Sequence, residues 1–134
     1  MIVSTRGRYA LRVMIDLAEQ DEEGYIPLRG IVVRQGLSLK YLEAIMTTLV
    51  KAGLIKGVHG KGGGYKLIRK PEEYTIADIL KVTEKSIIPA SCAECLGESC
   101  ERKDSCRTYP FWEKLNAAVD ECLHETTIAD LMKK

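Results

Sequence analysis

A mainly α-helical fold carrying one small β-hairpin is what this sequence predicts, on three observations. Apolar residues recur at helical spacing through the first fifty residues. A glycine-rich segment, His59-Gly60-Lys61-Gly62-Gly63-Gly64, separates two short strand-like runs. Helix starts of the form Thr-Ile-Ala-Asp occur at Thr75 and again at Thr127. With 134 residues and 46% hydrophobic content the chain suits one compact domain, large enough to close a core without disulfides.

The first helix is expected over Ser4 to Glu19, with Ala10, Val13, Met14, Leu17 and Ala18 inward and Ser4 or Thr5 as its cap. Asp21 to Gly24 reads as a turn. Pro27 can occupy the first position of a short second helix that buries Leu28, Ile31 and Val32 and stops at Gly36. Ser38 then caps a third helix whose inward stripe is Leu42, Ile45, Met46, Leu49 and Val50, ending at Gly53. Two helices joined by a short glycine-containing turn form a helix-turn-helix. Leu54 to Val58 and Tyr65 to Ile68 read as the hairpin strands, and a basic hairpin directly after a helix-turn-helix is a wing. Past Pro71, a capped helix runs from Thr75 to near Thr83. A helix beginning at Pro110 then aligns Phe111, Trp112, Leu115, Ala118, Val119, Cys122 and Leu123, and a last short helix follows Thr127. The two Thr-Ile-Ala-Asp segments are taken as generic capped helices, the match being too short for a repeat.

The net charge of +1 conceals an asymmetry. Residues 1–70 hold 12 basic and 6 acidic side chains, residues 71–134 hold 8 basic and 13 acidic, and the stretch 51–70 has six Lys and Arg without an acid. That pattern suits a polyanion-facing surface. Once the third helix buries its stripe, Lys40, Tyr41, Glu43, Ala44, Thr47 and Lys51 remain outside. Lys40 can donate to guanine, Glu43 can accept from cytosine or reject other bases, and Tyr41 or Ser38 can bond a phosphate. Arg6 and Arg8 on the first helix, with His59, Lys61, Gly62, Gly63 and Tyr65 of the wing, complete the expected contact set for double-stranded DNA.

Four of the five cysteines, Cys92, Cys95, Cys100 and Cys106, crowd into one loop with gaps of two, four and five residues. Thiolates so spaced can converge on one centre, and soft sulfur ligands suit zinc or an iron-sulfur cluster alike. Cys122, on an apolar helical face, is assigned to the core. The expected organisation is thus a DNA-binding winged helix-turn-helix over 1-85, a Cys-rich loop over 86-109, and a dimerisation helix with a C-terminal helix over 110-134. Dimers are the usual way such readers engage two half-sites, which makes the expected partner a palindromic operator bound by a homodimer.

The blocks Ser4-Thr5-Arg6-Gly7-Arg8-Tyr9-Ala10-Leu11, Gln35-Gly36-Leu37-Ser38-Leu39-Lys40-Tyr41-Leu42-Glu43, Lys51-Ala52-Gly53-Leu54-Ile55 and His59-Gly60-Lys61-Gly62-Gly63-Gly64-Tyr65 resemble the Rrf2 family of bacterial winged-helix regulators. Its IscR and NsrR branches carry an iron-sulfur cluster. The resemblance spans essentially the whole chain. It implies a homodimeric transcription factor whose operator binding follows the state of its cluster, with Cys92, Cys100 and Cys106 as cluster cysteines. The place of the IscR branch's histidine ligand holds Tyr109. The place where other branches carry an acidic ligand holds Arg8, which cannot bind iron. The fourth ligand is assigned to Cys95, with Tyr109 or a partner-chain residue as alternatives. A 2Fe-2S cluster is expected ahead of 4Fe-4S, and zinc or a cluster-free thiol switch is the alternative.

A small iron-sulfur electron carrier accounts for the cysteines but not for the basic helix-turn-helix. No Ser-His-Asp or Cys-His constellation is visible around His59 or His124, so no enzyme is expected. Arg12 and Asp16 interrupt the N-terminal apolar stretch, and no run reaches the roughly 20 residues of a membrane span, so a cytoplasmic location is expected.

Overall fold

The structure is a computed structural model that describes residues 3–20, 23–89 and 101–133. Helices α1 (Thr5–Glu19), α2 (Leu28–Gln35) and α3 (Leu39–Lys51) precede strands β1 (Ile55–Val58) and β2 (Gly64–Leu67). A 3-10 turn at Pro71–Glu73 leads into α4 (Ile76–Thr83), and α5 (Tyr109–Glu125) and α6 (Ile128–Leu131) complete the described elements. This is a helix-turn-helix followed by an antiparallel wing, as the spacing predicts.

Local chemistry sets the boundaries. Ser4 Oγ accepts the Gly7 N–H at 3.0 Å to cap α1, and Ser38 Oγ accepts the Tyr41 N–H at 3.2 Å to cap α3. Gly36 stops α2 at φ +65, a left-handed conformation that glycine adopts without strain. Pro27 sits one place earlier than expected, at the N-cap of α2, where no N–H is required of it. Helix α5 starts at Tyr109, with Pro110 in its first turn. Strand β1 starts one residue later than the sequence reading and ends at Val58 as expected, β2 is displaced by one residue toward the N-terminus, and Ile68 lies exposed beyond its end.

One core joins α1, α2, α3, the hairpin base and α4, with Val13, Met14, Ile31, Leu42, Ile45, Met46 and Ile79 fully buried. Val50 is a correction, since it is 37% exposed rather than inside. It stands opposite Gly57, which has no side chain to cover it; a Cβ there would meet Val50 Cγ2 at 3.7 Å. Buried Asp16 of α1 accepts a bidentate pair from Arg34 of α2 at 2.8 and 2.9 Å and the Gln35 amide at 2.8 Å, which fixes the α1–α2 angle.

The recurrent Thr-Ile-Ala-Asp segments turn out to be neighbours. Both form complete capping boxes, and Thr75 and Thr127 face each other across an isolated antiparallel bridge. The Ile76 N–H donates to Thr126 O at 3.0 Å and the Ile128 N–H to Tyr74 O at 2.9 Å. Sequence reasoning treated these as two unrelated helix starts. The residues flanking their extended Ncap threonines instead exchange hydrogen bonds and return the C-terminal segment to the body of the fold.

Candidate nucleic-acid interface and cysteine site

Burial of Leu42, Ile45, Met46 and Leu49 leaves Lys40, Glu43, Ala44, Thr47 and Lys51 on the exposed face of α3. Two expected residues have other duties. Tyr41 is half-buried, its ring edge-on to Tyr9 of α1 at 5.8 Å, while Arg12 lies over the Tyr9 ring at 5.0 Å. Thr47 donates its hydroxyl proton to Glu43 O at 2.8 Å, so it meets a ligand with its methyl group and its oxygen lone pairs. Ser38 is exposed, and its oxygen serves the α3 cap while its hydroxyl proton has no acceptor among the described residues and can be donated to a ligand. Arg6 and Arg8 are exposed at the start of α1, and Arg8 donates to Thr5 Oγ1 at 3.2 Å.

The wing is positioned by contacts that the sequence does not announce. In register, Ile55 pairs with Leu67, Lys56 with Lys66, Gly57 with Tyr65 and Val58 with Gly64. Ile26, in the chain entering α2, adds a one-residue third strand, its N–H donating to Tyr65 O at 2.8 Å and its carbonyl accepting the Tyr65 N–H at 2.9 Å. Gly64 makes this approach possible. Its φ is +152, and a Cβ would fall 2.2 Å from Ile26 O. Beneath the hairpin, fully buried Tyr74 donates its hydroxyl to Leu54 O at 2.7 Å and accepts the N–H groups of Ile68 and Arg69, each at 3.1 Å.

His59, Lys61 and Gly62 are exposed at the wing tip, and Gly63, half-buried, packs close to Val58 O and Gly60 O. Tyr65 is half-buried and lies over Gly57, so it shapes the wing from within. Lys66 turns to the Tyr25 ring, with its Nζ 4.8 Å from the ring centre, while Lys51, Lys56, Lys61, Arg69 and Lys70 remain exposed. Between the wing and α3 runs an open cleft of about 560 Å³, with Glu43 and Thr47 on one wall, His59, Gly60 and Gly63 on another, and Arg29 at the start of α2. Arg29 was not among the residues singled out in the sequence.

Of the expected cysteine ligands, Cys92, Cys95 and Cys100 lie outside the described residues. Cys106 is described and half-buried, just before α5. Its thiol is held below the ordinary 9.0, chiefly by the Thr108 hydroxyl at 3.3 Å, then by the backbone N–H groups of Thr108 and Tyr109, with a smaller contribution from Arg102. Such a sulfur favours the thiolate that metal ligation requires. Tyr109 is buried, and its hydroxyl has no hydrogen-bond partner among the described residues, while Lys103 Nζ sits 5.4 Å from its ring centre. Cys122 is exposed on α5, which corrects its assignment to the core: the α5 face that carries it has no covering element among the described residues. No group of three metal-ligating side chains occurs among the described residues. No helix is long and apolar enough to cross a membrane among them.

Comparison with known proteins follows the same lines. The model of the Rrf2 family, described as an iron-dependent transcriptional regulator, matches residues 3–134. The HTH-type transcriptional regulator IscR of Aliivibrio salmonicida is 36% identical over 133 residues, covering 98% of this chain and 77% of that protein. CymR, the global cysteine regulator of B. subtilis, is similar in structure with a TM-score of 0.82 at 37% identity, over 98% of this chain and 95% of that one. T. potens IscR gives a TM-score of 0.73, also at 37% identity, over 98% and 85% of the two chains.

Proposed function

The chain belongs to the Rrf2 family of transcriptional regulators, and from that premise we infer that it is an IscR-like regulator whose hold on DNA follows an iron-sulfur cluster in its cysteine loop. Its α3 enters the major groove, with Lys40 and Glu43 toward base edges and Ser38 toward a phosphate. Arg6, Arg8 and Lys61 take backbone phosphates, and Gly62 and Gly63 let the wing approach the duplex closely. Two copies, joined through α5, read a palindrome.

The observation that carries the sensing half of this reading is the run of four cysteines between residues 92 and 106, the last of which, Cys106, stands at the head of α5 with its thiol 3.3 Å from the Thr108 hydroxyl, the chief cause of its lowered pKa. A sulfur in that setting suits ligation, and Cys92 and Cys100 are its assigned companions with Cys95 as the fourth. A cluster bound there supplies redox chemistry and a labile link between residues 92 and 106. Cys106 adjoins the first turn of α5, so a change in its bonding acts directly on the helix assigned to dimerisation. At the other end of the loop, Glu84 Oε1 accepts the Ser4 N–H at 3.0 Å and the Ser4 hydroxyl at 2.6 Å, at the head of the helix that bears Arg6 and Arg8. The loop is thus connected to both the partner-facing and the DNA-facing elements. A ligand shifts such an arrangement only by binding its two states unequally.

The test is iron, acid-labile sulfide and zinc per chain in anaerobically purified protein, together with operator affinity before and after the metal is removed. Equal iron and sulfide with charge-transfer absorption, and an affinity that changes on removal, are expected. Stoichiometric zinc without sulfide, or metal-free protein of equal affinity, overturns cluster sensing and leaves a regulator with a structural metal or a thiol switch.

A further inference from the structure

We propose that Arg29 is a further DNA-positioning residue, seating a backbone phosphate at the mouth of the cleft between α3 and the wing. The inference rests on the DNA-binding reading above and adds a contact to it.

The two arginines of α2 have opposite fates. Arg34 is committed to buried Asp16 of α1 through a bidentate pair, although its own side chain reaches the surface. Arg29 stands exposed in the first turn and makes no hydrogen bond or ion pair among the described residues. It lines the same cleft as Glu43, Thr47, His59, Gly60 and Gly63. A duplex that receives α3 in its major groove and the wing tip on the adjacent backbone must pass a sugar-phosphate strand across this opening. The glycines at 60 and 63 keep the wing wall low enough for it.

Charge requires a cation there. Glu43 places a carboxylate in a cleft that a polyanion must enter, and it too has no ion pair among the described residues. Arg29 is the one permanent cation among the described residues lining the cleft. Helix α2 also lacks a side-chain cap; the Gly30 N–H turns back to Pro27 O at 3.2 Å, which leaves the Leu28 and Arg29 N–H groups for an anion beside the guanidinium. The fork of an arginine grips two phosphate oxygens, which suits orientation of the strand. Because the phosphate is common to every sequence, the contribution is one of grip and register, while Glu43 discriminates.

The test compares wild type, Arg29→Gln and Arg29→Lys on a mixed-sequence duplex and on an operator selected from a random library, each over a range of salt. The exposed position predicts unchanged melting temperatures. Arg29→Gln is expected to weaken both duplexes by about tenfold and to lower the salt slope by about one, whereas Arg29→Lys keeps the slope. An Arg29→Gln protein with the wild-type slope overturns the inference. So does full recovery of its affinity on adding Glu43→Gln, because Arg29 would then act only as the counter-ion of Glu43. If wild type binds neither duplex, the DNA-binding reading itself falls; if wild type binds and Arg29→Gln matches it, only this inference does.

Discussion

The winged unit and α5 draw on similar apolar residues and spend them differently. In α1 and α3 the inward apolar stripe is covered by the rest of the chain: Val13, Met14, Leu42 and Met46 are fully buried. In the seventeen residues of α5 only Tyr109 is buried, Phe111 is 55% exposed, and of the remaining stripe Leu123 alone packs against the core. The first unit is completed by its own chain. The second presents a face of Phe111, Leu115 and Val119 that gains stability only when another surface removes it from water. Substitutions in the two regions should therefore separate folding from assembly.

The largest effect on folding is expected where backbone meets backbone. Gly64→Ala forces a Cβ against the Ile26 carbonyl at a φ that side-chain-bearing residues rarely adopt. The third-strand contact must open, at a cost of about 3 kcal/mol. Thermal unfolding should register that cost, and DNA titration should show the wing displaced. An alanine variant with wild-type melting and affinity would mean that the Ile26 bridge does not hold the wing.

Next comes Tyr74→Phe, which keeps the packed ring and removes the hydroxyl that joins Leu54, Ile68 and Arg69 beneath the hairpin. Leaving these backbone groups unpaired should cost about 2 kcal/mol in denaturant unfolding, with the slope against denaturant unchanged. A loss below about 0.5 kcal/mol would show that water replaces the phenol there.

Glu84→Ala should cost less, about 1 kcal/mol, since the carboxylate is half-exposed where it accepts from Ser4 at the start of α1. Its sharper consequence is functional. If the Ser4–Glu84 contact carries the state of the cysteine loop to Arg6 and Arg8, the ratio of operator affinities with and without metal should move toward one. A ratio equal to that of wild type would confine Glu84 to stability.

What the sequence reveals divides along the same line. Periodicity and caps announce α1, α3, α4 and the wing because burial on one face and a cap at one end are local signals. Four features lie beyond such signals. The Ile26 strand is one residue long, Tyr74 acts through contacts with residues 5 to 20 positions away, the pairing of Thr75 with Thr127 is long-range, and Val50 of α3 is left uncovered by a glycine on β1. At the candidate interface, Lys40, Glu43 and Lys61 are exposed as expected, whereas Tyr41 and Thr47 are partly occupied by Tyr9 and by the Glu43 carbonyl. Arg29 escaped notice because exposure on a two-turn helix is unremarkable until the wing closes a cleft beside it. Cys122 misled for the converse reason. An apolar stripe at helical spacing specifies a buried face without saying which surface buries it.

The smallest effect on the monomer's fold decides the comparison. Leu115→Asp places a charge on the α5 face, away from the residues that pack against the core. A half-exposed site of this kind should alter the unfolding free energy of an isolated chain by only about 0.5 kcal/mol. If α5 is covered by a second copy, the same carboxylate would be buried against its own symmetry mate and the dimer would dissociate, because a buried unpaired charge is far costlier than an exposed one. Sedimentation should then report a dimer for wild type and a monomer for the variant at equal concentration, with near-wild-type helical content and much weakened binding to a palindromic operator. A variant that remains dimeric removes α5 from the interface. One that unfolds as a monomer shows instead that Leu115 belongs to the core, and the contrast between the two regions disappears with it.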